Sequence, residues 1–294
     1  MDKELAYLLG MFYGNGTLHE YGVDTVFSFR IPHKVLEADG VDVRVYVSAS
    51  VNDLRNYIEP YTGRILKHSE GKSYTEISFV VPTLDTFTVN FKKYLGGATS
   101  CRDIRIVNEI YKWSTDNKLQ FLKGFGDVTG YVRESNKAYV SKSTKGSNRV
   151  YLEIPQNWFL VADICNLLKD VGVPVMTVDW GHPNMRDPKL KRYNAGQVRF
   201  WNKEHQIKIW CQNYQLIGFE VLHKNKKLSE MAKENTDNTK ASKLISDKQF
   251  YWEKGTRKSE KLSHPGENDA ALPVQVRRHF DNWQEIAKVL GYKE

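Results

Sequence analysis

Two short apolar runs with a glycine inside them constrain this chain more than any other feature. Leu8-Leu9-Gly10-Met11-Phe12-Tyr13-Gly14-Asn15-Gly16 is one. Leu122-Lys123-Gly124-Phe125-Gly126-Asp127-Val128-Thr129-Gly130 is an approximate second copy. Each is helical in its spacing and closes in a small polar-glycine cluster. Two such runs, about half a chain apart, predict two related half-domains packed helix against helix.

The segments between and after them support the repeat. Leu5, Leu8, Leu9 and Phe12 share a helical face over residues 4–13, and Gly14 and Gly16 end it. Strand character follows near Val26, Phe29 and Ile31. Val41, Val43, Val45 and Val47 then alternate with polar residues, which predicts a strand with one buried face. A short helix is expected over 52–60, capped by Asn52 and stopped by Pro60, then strands at 64–68 and 74–82 and a helix over 84–95. The second half gives a helix over 117–126, strands at 137–142, 149–155, 173–180, 197–201 and 205–210, and helices over 158–171 and 212–218. The class is therefore α+β. The divisions are a first half-domain at 1–97, a connection at 98–116, a second half-domain at 117–220 and a basic extension at 221–294, whose last segment from Leu272 reads as a helix.

Composition narrows the function. The 294 residues carry a net charge of +8, which favours an anionic partner, nucleic acid being the commonest. No apolar run approaches the roughly 18 residues that span a bilayer, and the N-terminus lacks a signal-peptide pattern. The three cysteines, Cys101, Cys165 and Cys211, form no CxxC pair. His182, His205 and Cys211 fit no standard zinc spacing. A cytoplasmic, nucleoid-associated chain without a membrane partner is expected.

The paired glycine-containing helices, each followed by the same α+β order, resemble the LAGLIDADG homing endonucleases over roughly residues 4–220. Leu8, Gly10, Gly14 and Gly16 fall on the motif in the first copy, and Leu122, Gly124 and Gly130 in the second. The resemblance implies two pseudo-symmetric αββαββα half-domains packed through their motif helices, forming a saddle for double-stranded DNA, with the C-terminal extension outside it. It implies a monomer that makes a double-strand cut for homing or restriction. It also implies two or three Mg²⁺ ions, replaceable for binding by Mn²⁺ or Ca²⁺, held by one acidic residue per helix and a nearby carbonyl. Gly14 and Gly126 would supply those carbonyls.

The chain departs from that pattern at both helix ends. Asn15 stands where the family carries aspartate, as an inactivating substitution would look. In the second motif, alignment on the leucine and glycines sets Asp127 opposite Tyr13 and Thr129 opposite Asn15. Alignment on the Gly-acid pair sets Asp127 opposite Asn15, and ligand chemistry favours Asp127. Lys208, in the closing strand of the second half, is the candidate lysine beside the scissile phosphate.

Outward polar and basic residues are the DNA-contact candidates. They are Arg30, Arg44, Tyr46, Arg64 and Lys67 in the first half. In the second they are Arg133, Ser135, Lys137, Lys142, Arg149, Arg186, Arg192, Arg199 and Lys203. Lys224, Lys226 and Lys227 open the lysine-rich extension, a candidate phosphate-tracking arm. Two functions remain open: a Mg²⁺-dependent endonuclease weakened by Asn15, and a degenerate relative that binds nucleic acid without cutting, as a maturase or regulator would.

Overall fold

A computed structural model describes residues 1–36, 43–133, 147–155, 157–179, 205–239, 242–243, 261–262 and 272–275. The first half begins with α1 (Lys3–Asn15), whose residues from Leu5 to Gly14 are all buried. A helix apolar on every side belongs in the centre of a molecule. The chain turns directly into the hairpin β1 (Gly16–Tyr21) and β2 (Asp24–Pro32), joined at Gly22 with φ 60°. After α2 (His33–Leu36) and α3 (Val43–Thr62) come β3 (Lys67–Glu70), β4 (Tyr74–Pro82) and α4 (Thr86–Lys92). The Asp85 carboxylate caps α4 by accepting from the Phe87 N–H at 2.8 Å. The antiparallel sheet runs in the order β1-β2-β4-β3. Its inner face carries Phe27, Phe29, Ile77, Phe79 and Val81 against the helices.

The connecting segment holds the short α5 (Asn108–Tyr111) and is anchored at both ends. Its backbone follows the free edge of β1, with the Leu18 N–H donating to Thr99 O at 2.9 Å. Arg105 forms a two-pronged ion pair with the buried Asp163, at 2.6 and 2.8 Å.

The second half repeats the order. It contains α6 (Thr115–Thr129), β5 (Gly130–Arg133), β6 (Arg149–Ile154), α7 (Trp158–Asp170), β7 (Thr177–Asp179), β8 (His205–Trp210) and α8 (Cys211–Tyr214). Its sheet begins β5-β6-β8-β7, the counterpart of β1-β2-β4-β3. The extension supplies α9 (Leu222–Asp237) and two strands, β9 (Lys261–Leu262) and β10 (Leu272–Gln275). β10 lies parallel to β7 and lengthens the second sheet, with β9 beyond it. The α+β class and the paired-helix, two-sheet plan match the expectation. No helix among the described residues is long and apolar enough to cross a membrane.

Several elements differ from their sequence reading. The alternating valines do not form a strand. Residues 43–62 are one helix, because Val47, Val51, Leu54 and Ile58 make a continuous buried helical stripe, while Val45 is exposed. Pro60 lies in its last turn, and the helix ends at Thr62 before Gly63, with φ 62°. The strand expected at 64–68 begins at Lys67, so Arg64 precedes it. Of the described residues in the 173–180 stretch, only Thr177–Asp179 are strand. Leu272–Gln275 pairs in a sheet instead of starting a helix. The strands expected at 137–142 and 197–201 lie outside the described residues.

Candidate nucleic-acid interface

The two motif helices touch through their glycines. A Cβ on Gly10 would stand 1.8 Å from Phe121 O and 2.9 Å from Phe125 N. One on Gly124 would stand 2.0 Å from Tyr7 O and 3.2 Å from Met11 N. Each glycine thus receives the backbone of the other helix at the matching step, the signature of a pseudo-two-fold axis. That register pairs Asn15 with Thr129 and Tyr13 with Asp127. The glycine-aligned reading of the second motif is the correct one, and the shifted reading with Asp127 opposite Asn15 is not.

At the paired ends the polar groups satisfy one another. Asn15 Nδ2 donates to Val128 O across the axis at 3.0 Å. Thr129 is buried, and its hydroxyl donates to Phe125 O at 2.7 Å within its own helix. Gly14 lets the ends close up, since a Cβ there would come within 2.5 Å of Val128 Cγ2 and 2.8 Å of Thr129 Cγ2.

Asp127 stands elsewhere, on the flank of α6 that faces the extension, and is fully buried. It accepts from the Tyr7 hydroxyl at 2.8 Å and from the Glu220 and Val221 N–H groups at 2.9 and 3.4 Å. Lys224 reaches it from α9. The ammonium donates to Gly126 O at 3.1 Å and to Asp127 O at 2.9 Å, and lies 3.9 Å from Asp127 Oδ1. Burial pushes the Asp127 carboxyl up against the pull of that ammonium and of its hydrogen bonds. Burial likewise lowers Lys224 to about 8, opposed by Asp127. Lys224 is therefore no phosphate-tracking residue: it caps the C-terminal carbonyls of a motif helix, where a cation complements the helix dipole.

This donor set does not fit the Mg²⁺ centre that the resemblance implies. Neither Asn15 nor Thr129 is anionic, and both already hold internal partners. Gly126 O and the Asp127 oxygens are engaged by the chain itself. Among the described residues no three His, Cys, Asp or Glu side chains group as a metal site. Hard divalent cations need carboxylate or carbonyl oxygens free to turn toward them.

The two sheets present unlike outer faces. On the first, β1, β2, β4 and β3 expose Thr17, His19, Ser28, Arg30, Tyr74, Glu76, Ser78, Lys67 and Ser69 at alternate positions, in register across the sheet. Arg30 is held in place: its guanidinium meets Glu76 Oε2 at 3.0 Å and lies 4.6 Å from the centre of the Tyr74 ring. Lys67 is exposed on the edge strand.

On the second sheet the hairpin registers set Glu153 at the place of Arg30, Gln206 at that of Glu76 and Lys208 at that of Ser78. Tyr131 and Gln206 both donate to Glu153 Oε1, at 2.9 and 2.8 Å, and Lys34 of the first half forms an ion pair with the same carboxylate. Glu153 is 6% exposed and Lys208 only 8%, with its ammonium 5.3 Å from the Tyr151 ring centre. Lys208 therefore does not stand on an open face.

The remaining candidates scatter. Arg44 and Tyr46 lie on α3, not on a strand, and the Tyr46 ring packs 4.6 Å from His223 of α9. Arg64 pairs with Asp85 at 3.7 Å. Arg133 is exposed at the end of β5, while Arg149 is half-buried with its guanidinium 5.0 Å from the Trp210 ring. Lys226 is exposed on α9 and Lys227 half-buried. Ser135, Lys137, Lys142, Arg186, Arg192, Arg199 and Lys203 lie outside the described residues. Sequence reading missed Tyr7, Lys34, Glu153 and Gln206. The alternation of β6 and β8 could have placed Glu153 and Gln206 on one face, but nothing in the sequence signals Lys34.

No family model matches the chain, and no curated protein matches it. Among solved structures, the chain is similar to an I-DmoI variant in complex with its target DNA and manganese. Identity is 13% and the TM-score 0.41, over 76% of this chain and 97% of that one. It is also similar to mesophilic variants of the homing endonuclease I-DmoI, with 14% identity and a TM-score of 0.40 over 72% and 87% of the two chains. A third is full-length DUF199/WhiA from Thermatoga maritima, with 14% identity and a TM-score of 0.42 over 86% and 69%. None of these likenesses carries an activity over to this chain.

Proposed function

We propose that this chain is a double-stranded-DNA-binding protein that uses a LAGLIDADG-like paired-helix scaffold without cutting. The observation that carries the reading is the Asn15 Nδ2 to Val128 O hydrogen bond. It bridges the two helix ends with an amide hydrogen, where a hydrolytic centre would need carboxylate oxygens and a cation between them. The net charge of +8 and the exposed, alternating polar face of the first sheet support DNA as the partner. Arg30, ordered by Glu76 and Tyr74, is the residue on that face best prepared to read a base edge. Lys67, Arg133 and Lys226, all exposed, are proposed phosphate contacts.

The test is selection from a randomised duplex library in EDTA, followed by incubation of the bound duplexes with Mg²⁺. Enrichment of a defined sequence, recovered intact, supports the reading. Failure to enrich any sequence overturns it.

A second reading has its own support. The first motif keeps Leu8, Gly10, Gly14 and Gly16 around residue 15, so Asn15 is what inactivation of an endonuclease would leave. Under that reading Asn15→Asp restores metal-dependent strand scission. Under the first it does not, because Thr129 offers no second carboxylate.

A further inference from the structure

The two sheets correspond position by position. Gly16 pairs with Phe29, and Phe29 with Ile77, just as Gly130 pairs with Leu152 and Leu152 with Ile207. Ser28 therefore matches Tyr151, Ser78 matches Lys208 and Val80 matches Trp210. On the first sheet these outward positions are small and open: both serines are half-buried, and Val80 is 38% exposed. On the second they are large and closed: Tyr151 is 9% exposed, Lys208 8% and Trp210 2%. The second set also lies along its own sheet. The Tyr131 and Tyr151 rings stack at 5.4 Å with 5° between their planes, and the Lys208 ammonium sits 5.3 Å from the Tyr151 ring centre. The Arg149 guanidinium lies 5.0 Å from the Trp210 ring centre. A fourth match reverses charge. Where the first sheet exposes Arg30, the second buries Glu153, with Oε1 accepting from Tyr131 and Gln206 and Oε2 paired with Lys34 of the first half.

We infer that this chain reads DNA sequence on one side only: the first sheet reads the bases of a single half-site, and the second half holds the duplex by its backbone. The inference rests on the DNA-binding reading above. A residue that reads a base edge must project from the sheet into the major groove and keep its donors or acceptors free until it arrives. The outward side chains of the first sheet are short around Arg30, which leaves that guanidinium room to meet a groove. On the second sheet the matching carboxylate is spent on three partners, and the aromatic rings and the lysine stem fill the face. The exposed Arg133 at the end of β5 still offers a phosphate contact, which positions a duplex without specifying its sequence. The longest strands of the open sheet, β2 and β4, have nine residues each. Nine residues extend about 30 Å, and a duplex rises about 3.4 Å per base pair, so the sheet covers a block of about nine base pairs.

The test is a pair of interference footprints of the full wild-type chain on the duplex it enriches from a randomised library. Methylation of guanine N7 reports major-groove base contacts, and ethylation reports phosphate contacts. Base interference and sequence preference are expected in one contiguous block on one side of the site centre, with phosphate interference on both sides. Arg30→Ala is expected to weaken binding to that duplex roughly 5- to 150-fold and to relax the preference at its contacted base pair. Lys208→Met, checked for an unchanged melting temperature, is expected to enrich the same sequence as the wild type. Two separated blocks of base interference overturn the inference and leave the DNA-binding reading standing. A folded Lys208→Met chain with an altered base preference also overturns it. Failure to enrich any sequence overturns the DNA-binding reading and this inference with it. The wild-type footprint decides the matter even if the Lys208 variant does not fold.

Discussion

Asn15 Nδ2 and Val128 O lie 3.0 Å apart across the axis that relates the two motif helices. The amide hydrogen joins two oxygen-bearing helix ends without a metal. An aspartate here would turn a carboxylate oxygen toward a carbonyl oxygen, an arrangement that is repulsive unless a cation bridges it. One side-chain nitrogen therefore separates a self-sufficient scaffold from one that would need a divalent ion.

Asn15→Asp removes the donor to Val128 O. The variant is expected to lose about 1–3 kcal/mol in metal-free buffer, the usual cost of a buried acceptor left unpaired. Adding Mn²⁺ should raise its melting temperature while leaving the wild type unchanged. Thermal melts in EDTA and in Mn²⁺ measure both effects.

Gly10→Ala and Gly124→Ala place a methyl group within 1.8 and 2.0 Å of backbone oxygens on the opposite helix. Backbone cannot step aside as a flexible side chain does, so the helices must separate. Each substitution is expected to cost at least the ~1–3 kcal/mol of ordinary overpacking. Denaturant unfolding of the two variants checks this, and the pseudo-symmetry predicts similar losses.

Lys224→Met leaves Asp127 buried without its ammonium and takes one donor from each of two α6 carbonyls. Removing one partner of a buried pair costs about 3–5 kcal/mol. The same substitution should leave the salt dependence of DNA binding unchanged, because Lys224 faces the interior. Lys226→Ala, on the exposed side of α9, should instead lower the salt slope by about 1 while preserving stability.

His205 lies in the core strand β8, and burial lowers it from 6.5 to about 4. The folded chain keeps the ring neutral while the unfolded chain takes up a proton below pH 6.5. Stability is therefore full above about 6.5, falls as the pH drops through the window and levels off below about 4, a change of roughly 3 kcal/mol from this group. Stability curves of the wild type and His205→Gln between pH 7 and 4 should differ by that slope.

Much of the scaffold was legible in the sequence because its signals are local. The glycines and all-round apolar character of α1 and α6 predict a close-packed pair, and the period-two runs of β2, β4, β6 and β8 predict sheets with one buried face. Over the first turns of α3 the valines alternate by chance, which reads as a strand, and the helical stripe from Val47 to Ile58 prevails. The centre was harder to read. Asp127 next to Gly126 looks like a ligand until Tyr7, Glu220, Val221 and Lys224 close around it, and those partners lie about a hundred residues away in the chain. Lys224 misled for the opposite reason: a lysine in a lysine-rich tail looks solvated, whereas this one is 3% exposed.

The most direct test of the account is a titration of the wild-type chain against its selected duplex by fluorescence anisotropy, in EDTA and in Mg²⁺. The same samples are then resolved by denaturing electrophoresis. A scaffold that binds without cutting gives the same affinity in both buffers and two intact strands after prolonged incubation. Binding that requires Mg²⁺, or strands nicked or cut when it is present, would contradict it.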